Sequence, residues 1–160
     1  MSAKVMVAVT VVADPATAFE IFTQEVDAWW RHGPRYRFRG KRSGTMRFEP
    51  GVGGRLVEVY DDASGDLYEV GKILTWEPGA RLAFEWRGPN YRPGQVTMVE
   101  VRFIATQDGT RVVVEHSGWE SLPTGHPARH GMNEVPFLHT MAGWWQEQLA
   151  DLKTHGRRTS

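Results

Sequence analysis

The sequence from residue 135 to residue 153 reads VPFLHTMAGWWQEQLADLK, and its spacing decides the fold of the chain. At about 100° per residue, one arc of about 160° collects eight apolar side chains: Phe137, Leu138, Met141, Ala142, Trp144, Trp145, Leu149 and Leu152. The opposite arc is mostly polar, so the stretch is predicted to form one amphipathic helix that lies on a core. Gln148 alone interrupts the apolar arc, and a buried amide there needs a hydrogen-bond partner or water.

Seven segments upstream are rich in β-branched and aromatic residues, and turn residues separate most of them. They are predicted to be strands, at residues 4–12, 45–49, 55–60, 67–76, 81–86, 96–105 and 110–116. Glycine and proline in the intervening turns indicate antiparallel hairpins. After the first strand, Asp14 is placed to cap a helix that begins at Pro15, and a second short helix is predicted over residues 24–30. This order predicts an α+β domain.

The last three strands carry charged residues on one side and apolar residues on the other, because evenly spaced side chains share a face. The apolar side holds nine inward candidates: Leu82, Phe84, Trp86, Val99, Val101, Phe103, Val112, Val114 and His116. The sheet is therefore predicted to have one solvated face and one face that covers a core. His116 is in phase with the valines before it, but a bulge near Gly118 would turn it outward, so both orientations stay open.

Composition limits the class of protein. A chain of 160 residues without cysteine is expected to form one domain, residues 1–160, in the cytoplasm, without disulfides or a thiolate nucleophile. The net charge is zero, which gives no general argument for binding nucleic acid. The first apolar segment is too short to span a bilayer and lacks a signal-peptide cleavage pattern, so no membrane association is expected. Seven tryptophans among eighteen aromatic residues indicate either a heavy core or a lined pocket.

Two local clusters resemble nucleotide-binding features. Residues 31–47 contain seven lysines or arginines and no acid, and this pattern would suit a phosphate backbone. A solvated loop or edge strand is the preferred interpretation, since acids elsewhere balance the charge, and no nucleic acid partner is predicted. The glycines of residues 51–54 lie between two strands, lack the Lys-Ser/Thr of a phosphate loop and open no helix, so they are predicted to form a turn.

The segment 117–134 is rich in glycine, proline and histidine and is expected to be an irregular loop and a candidate lid. His126, His130 and Glu134 are spaced by four, but prolines and glycine interrupt the helix that a metal site would need, so no metal is predicted. His116 and Ser117 are neighbours on a strand and point to opposite faces, which excludes a nucleophile–base pair. Trp29-Trp30 and Trp119 are expected to be exposed, covering a pocket mouth or a dimer contact.

Short motifs extend from the first strand to the last helix. They are Pro15, Ala18, Phe19 and Phe22; Trp29-Trp30; GGRLVE at 53–58; GKI at 71–73; Pro78; RLAF at 81–84 with Trp86; Gly109-Thr110; HSG at 116–118; and Gly143-Trp144 with Leu149 and Leu152. With these motifs and this order of elements, the chain resembles the activator of Hsp90 ATPase homologue-like family of the START/Bet v 1-like (SRPBCC) superfamily. The resemblance implies a helix-grip fold, in which a curved antiparallel sheet of about seven strands wraps around a long C-terminal helix.

The resemblance also implies a cavity between helix and sheet, where members of the superfamily mostly bind hydrophobic ligands. Ligand contacts are then expected from nine residues: Phe84, Trp86, Val101, Phe103, His116, Phe137, Met141, Trp145 and Gln148. The alternative is that these residues form a solid core, although an amide at position 148 favours a pocket.

Two further functions stay open: an interaction module that regulates a chaperone ATPase, and a polyketide cyclase-like enzyme in which His116 works with Glu58 or Glu69. No catalytic residue and no cofactor are assigned. The expected partner is a small hydrophobic ligand, with a homodimer or a chaperone partner as possibilities.

Overall fold

A computed structural model describes residues 4–32, 36–39, 42–122, 126–129 and 131–159 of the chain. Within these ranges the elements follow in the order β1 (Lys4–Val11), α1 (Pro15–Gln24), α2 (Val26–Trp29), β2 (Thr45–Phe48), β3 (Arg55–Asp61), β4 (Asp66–Glu77), β5 (Arg81–Trp86), β6 (Thr97–Thr106), β7 (Gly109–Ser117) and α3 (Glu134–Thr159). Two short 3₁₀ turns, Trp119–Ser121 and Pro127–Arg129, lie between β7 and α3.

The seven strands form one antiparallel, curled sheet in the order β1-β7-β6-β5-β4-β3-β2. Consecutive strands from β2 to β7 are neighbours, and β1 closes the other edge by pairing with β7, with Val5 opposite His116. A register shift after Leu56 interrupts the β3–β4 ladder. The predicted α+β helix-grip fold, with seven strands and two short helices after the first strand, is confirmed.

Helix α1 begins as the sequence predicts. The Asp14 carboxylate accepts a hydrogen bond from the Thr17 backbone N–H at 2.8 Å, and Pro15 occupies the first helical turn, where its missing N–H costs nothing. The apolar face of α1 then packs on one end of the sheet: Phe19 contacts Trp76 and Phe103, with ring centroids 5.1 Å and 5.2 Å away. This end of the interior is filled with aromatic rings.

Helix α3 packs along the apolar face of the sheet and runs beyond its predicted end near Lys153. Two contacts hold the extra turn. His155 Nε2 lies 2.8 Å from the Glu25 carboxylate, and Gly156 lies so close to β1 that an added Cβ would stand 2.7 Å from the Val11 side chain. The apolar stripe ends near residue 152, so the stripe alone could not predict these contacts. None of the helices in the described ranges is both long and apolar enough to cross a membrane.

Candidate functional site

A cavity of about 470 Å³ lies under α3, at the end of the sheet away from α1. Its walls come from the α2–β2 connection, the C-terminal ends of β5 and β7, the loop after β5, the 3₁₀ turns and the middle of α3. The lining residues are Trp30, Tyr36, Arg37, Phe38, Trp86, Gly88, Pro89, Asn90, Tyr91, His116, Trp119, Ala128, Met141, Trp144, Trp145 and Gln148. Five of the seven tryptophans of the chain are in this set.

The aromatic walls pack on one another around Trp86. Its ring stacks on Trp30 with centroids 5.8 Å apart and planes 23° apart, and it meets Trp145 at 5.9 Å and Phe38 at 5.5 Å. Trp30 is 2% exposed and donates its indole N–H to the Tyr36 carbonyl at 2.8 Å. Rings held by several neighbours keep their orientation, so this part of the cavity is preformed.

His116 points inward and is buried, which settles the orientation that the sequence leaves open. Its Nδ1 accepts the indole N–H of Trp145 at 3.1 Å, so the ring proton lies on Nε2, which donates to the Thr97 hydroxyl at 2.8 Å. That hydroxyl in turn donates to the Trp86 carbonyl at 3.2 Å. Burial lowers the pKa of His116 to about 3. The imidazole is therefore neutral near pH 7, with both nitrogens engaged.

Gln148 bridges the helix and the α2–β2 connection. Its Oε1 accepts a hydrogen bond from the Arg31 backbone N–H at 2.7 Å, which fixes the orientation of the amide because a backbone nitrogen only donates. The side chain is buried and lines the cavity. A polar residue in the apolar arc thus serves to anchor the wall that begins at Trp30.

Arg37 and Glu58 hold the rest of that wall in place. The guanidinium of Arg37 is fully buried and donates to the backbone carbonyls of Trp30, Arg31 and Gly44. The Glu58 carboxylate lies 3.6 Å away and accepts the backbone N–H groups of Phe38 and Gly44. Charge pairing and backbone hydrogen bonds together compensate the burial of both ions.

Ion pairs tie the same connection to the outer side of α3. Arg31 donates to Asp151 at 2.7 Å and to Glu147 at 3.2 Å, and the Tyr36 hydroxyl donates to Glu147. The acidic side chains lie on successive turns of the helix, so one segment is fastened at several points. Tyr36 lines the cavity, and these bonds therefore set the position of one rim.

Arg129 fixes backbone segments on the other side of the cavity, as Arg37 does near Trp30. It is buried and donates to the backbone carbonyls of Trp119 and Leu122 at 2.9 Å. Its guanidinium also lies 5.3 Å from the centroid of the Phe137 ring. These contacts shape the two 3₁₀ turns in the segment that the sequence marks as an irregular candidate lid. Trp119 and Ala128 from these turns line the cavity.

The nine predicted ligand contacts separate into two groups. Five line the cavity: Trp86, His116, Met141, Trp145 and Gln148. Four do not line it and are buried in the packed interior: Phe84, Val101, Phe103 and Phe137. Phe84 packs edge-on against Phe48 at 5.4 Å, and Phe103 packs against the rings of α1. The structure thus combines a pocket at one end of the interior with a solid core at the other.

The expectation that Trp29, Trp30 and Trp119 are exposed is wrong, because each is only 2% exposed. Trp30 and Trp119 form cavity walls, and Trp29 packs on Phe22 and donates to the Ile21 carbonyl. The loop at residues 88–91 and Ala128 were not anticipated as lining residues. They lie in irregular segments without periodicity, so spacing could not predict them. The high tryptophan content of the chain was the sequence feature that indicated a lined pocket.

The basic run also differs from a free cationic surface. Arg35 and Lys41 lie outside the described residues, and the other five arginines of residues 31–47 all contact acids. Arg39 and Arg42 share Asp66, and Arg47 pairs with Asp62. Arg37 is buried beside Glu58, and Arg31 pairs with Asp151 of α3. The charges of the described arginines are largely balanced within the protein.

The residues considered for acid–base and metal chemistry are dispersed. Glu58 is committed to backbone N–H groups, and Glu69 lies 3.5 Å from Arg55, and neither lines the cavity. His126 bonds Gln95 and the Ala128 backbone N–H, while His130 is outside the described ranges. Within those ranges no three histidine or acidic residues come together in a way that could hold a metal ion.

The cavity, the curled sheet and the long helix fit one known family of proteins. The family model described as "Activator of Hsp90 ATPase homolog 1-like protein" matches residues 12–156. The chain belongs to this family. Its helix-grip members commonly bind hydrophobic ligands. Comparison with curated proteins gives no match.

Solved structures with the same fold come from several bacteria. Protein MLL2253 from Mesorhizobium loti is 18% identical with a TM-score of 0.63, and the alignment covers 99% of both chains. Protein NE0264 from Nitrosomonas europaea is 15% identical with a TM-score of 0.63, over 98% of this chain and 96% of that one. CalU16 from Micromonospora echinospora is 17% identical with a TM-score of 0.61, over 96% of this chain and 74% of its own. At such identities the similarity concerns the fold alone.

Proposed function

We propose that this protein binds a small, largely hydrophobic ligand in the cavity between α3 and the sheet. The observation that carries the proposal is the cavity itself: about 470 Å³, within the range of small-molecule sites, and walled mainly by aromatic rings. Trp86, His116, Met141, Trp145 and Gln148 are the proposed contacts that the sequence also names, joined by Trp30, Trp119 and Trp144.

Preformed walls support this proposal. A chain that only needed a stable core would gain by filling this volume, since an empty apolar space costs contact energy. Instead, buried Arg37 and Arg129 brace the segments on either side of the cavity by bonding their backbone carbonyls. Such bracing reduces the ordering cost that a ligand would otherwise meet on binding.

Acid–base catalysis in this cavity has less support. A general base near pH 7 needs a free nitrogen or carboxylate of suitable pKa, and His116 has both nitrogens hydrogen-bonded and a strongly lowered pKa. The cyclase-like and chaperone-regulating functions stay untested predictions from the sequence. A cytoplasmic place of action is part of the proposal and is supported by the absence of cysteine.

Titration with 1-anilinonaphthalene-8-sulfonate tests the proposal. We expect saturable binding to one site and, at a hundredfold excess over Kd, a stabilisation of about 2.7 kcal/mol. Ala128→Phe places a ring in the cavity and should weaken binding at least tenfold. Ala150→Phe, on the exposed side of α3, is the matched control and should leave binding unchanged.

Met141→Trp fills the same space from the helix and gives a second measurement if Ala128→Phe disturbs the fold. Absence of saturable binding, or equal binding by the cavity-filling and control variants, would overturn the proposal.

A further inference from the structure

Two residues in the walls of the cavity, Gln148 and Trp86, present free hydrogen-bond donors. The acceptor nitrogen of His116 is occupied by Trp145, and the acceptor oxygen of Gln148 is occupied by the Arg31 backbone N–H. By contrast, neither the Gln148 Nε2 amide nor the Trp86 indole N–H has a hydrogen-bond partner among the described residues.

These donors face open space. Within the described ranges, the one fully enclosed side-chain nitrogen or oxygen that lacks a partner is Nε of Arg102, which is on β6 and does not line the cavity. The free N–H groups of Gln148 and Trp86 are therefore accessible, and both residues line the cavity. The contrast with Trp30, Trp119 and Trp145 is clear, because each of those indoles donates to a protein acceptor.

The charges of the lining residues also indicate which ligands the cavity suits. Arg37 is a fully buried cation in the lining, and the described lining residues include no aspartate or glutamate. An aromatic cage without a cation of its own would suit an ammonium ligand through cation–π contacts. Here Arg37 is already paired with Glu58, and the described lining offers no carboxylate to pair with an ammonium group.

We propose that the ligand is an aromatic molecule that carries a hydrogen-bond acceptor, such as an aryl ketone or quinone, and no ammonium group. The inference rests on the proposed function and names the ligand class of the same site. The acceptor oxygen would take the N–H groups of Trp86 and Gln148, while the ring system packs among the surrounding indoles. Donors from both wall residues would give selectivity for a carbonyl, because a ligand without the oxygen leaves those N–H groups unpaired.

Three compounds with the same ring test this inference: 2-acetylnaphthalene, 2-ethylnaphthalene and 1-(2-naphthyl)ethylamine. Calorimetric titration should give a Kd for the ketone about three- to tenfold lower than for the ethyl compound, and weakest binding for the amine. Trp86→Phe keeps the ring and removes the N–H, so it should reduce the ketone preference. Gln148→Glu keeps the acceptor for Arg31 but removes the donor, so it should weaken the ketone and strengthen the amine.

The outcomes separate the two proposals. If none of the three compounds binds and 1-anilinonaphthalene-8-sulfonate does not bind either, the cavity-binding function fails; if only the sulfonate binds, the function stands and the acceptor inference is overturned. If all three bind equally, or the amine binds best, the cavity binds ligands but the acceptor inference is overturned. A ketone preference that survives unchanged in both Trp86→Phe and Gln148→Glu would also overturn it, because another group would then be the donor.

Discussion

The indole N–H of Trp145 donates to Nδ1 of His116 across 3.1 Å, linking the long helix to the last strand at the floor of the cavity. This bond determines the tautomer of the imidazole, which passes its own proton toward the Thr97 hydroxyl. A chain of hydrogen bonds thereby connects α3, β7, β6 and β5. Protonation of His116 would place a second hydrogen on Nδ1, directly facing the indole N–H, and would break the chain at its first bond.

The first prediction concerns stability at mildly acidic pH. The pKa of His116 falls to about 3 in the folded state and rises to its ordinary value of about 6.5 on unfolding, so the unfolded chain binds the extra proton first. Stability is therefore lost as pH decreases below about 6.5. Between pH 7 and pH 5 this single group should cost about 2 kcal/mol of unfolding free energy.

Urea denaturation of the unmodified chain and of His116→Gln at both pH values measures this effect. The glutamine does not titrate but still offers an acceptor and a donor, so the variant should lose about 2 kcal/mol less over the same interval. Equal pH dependence of the two proteins would show that His116 is not held neutral.

The second prediction tests the anchor between α3 and the wall at Arg31. Gln148→Leu removes the acceptor of a part-buried backbone N–H, which should lower the unfolding free energy by about 1 to 3 kcal/mol. Gln146→Leu, on the exposed side of the same helix, serves as the control and should change stability by less than about 0.5 kcal/mol. Comparable effects in the two variants would argue against the anchor.

A third prediction addresses the buried ion pair. Glu58→Gln removes the fully buried anion beside Arg37, leaving Asp27 at 3.3 Å as its acidic partner, and turns an amide donor toward a backbone N–H that Glu58 now accepts, so a loss of about 1 to 3 kcal/mol is expected. Glu20→Gln, on the exposed face of α1, is the control. Chemical denaturation of both variants is the measurement, and a loss below about 1 kcal/mol for Glu58→Gln would contradict the proposed role of the pair.

A fourth prediction uses two glycines with opposite surroundings. In β4, a Cβ on Gly71 would lie 1.8 Å from the Glu85 carbonyl oxygen, so Gly71→Ala must displace backbone and should reduce the melting temperature strongly. In α3, a Cβ on Gly143 would meet nothing within 4 Å, so Gly143→Ala should raise stability by about 0.5 to 1 kcal/mol through helix propensity. Thermal unfolding of the two variants should therefore shift in opposite directions, and shifts of the same sign would contradict the packing described here.

Periodicity predicted which face of a strand or helix each residue occupies. It did not predict whether an inward residue is packed in the core or lines the cavity. Alternation placed Phe84 and Trp86 on the same inner face of β5, yet Phe84 is fully enclosed and Trp86 lines the cavity. The difference arises because α1 covers one end of the sheet and leaves the other open. That packing depends on contacts between distant segments, which the spacing of one strand does not contain.

The helix shows the same limit in a different form. Its stripe predicted Met141, Trp145 and Gln148 at the cavity, and all three line it. Phe137 belongs to the same stripe but does not line the cavity, because the Trp119 ring covers it with centroids 5.1 Å apart. Trp119 lies in a segment whose sequence has no regular pattern. The spacing could not place the loop residues Tyr36 and Ala128 at the cavity for the same reason. Their positions depend on long-range contacts: the Tyr36 hydroxyl bonds Glu147, and Arg129, next to Ala128, bonds the Leu122 carbonyl.

The central claim, that the cavity under α3 is a ligand site, is tested most directly by the indole N–H signals of a ¹⁵N-labelled sample titrated with 2-acetylnaphthalene. Five tryptophans line the cavity, whereas Trp76 lies at the α1 end of the sheet against Phe19 and serves as an internal control. We predict saturable shifts for Trp30, Trp86, Trp119, Trp144 and Trp145 and none for Trp76. Saturable shifts confined to Trp76, or no shift at any indole at millimolar ligand, would contradict the account.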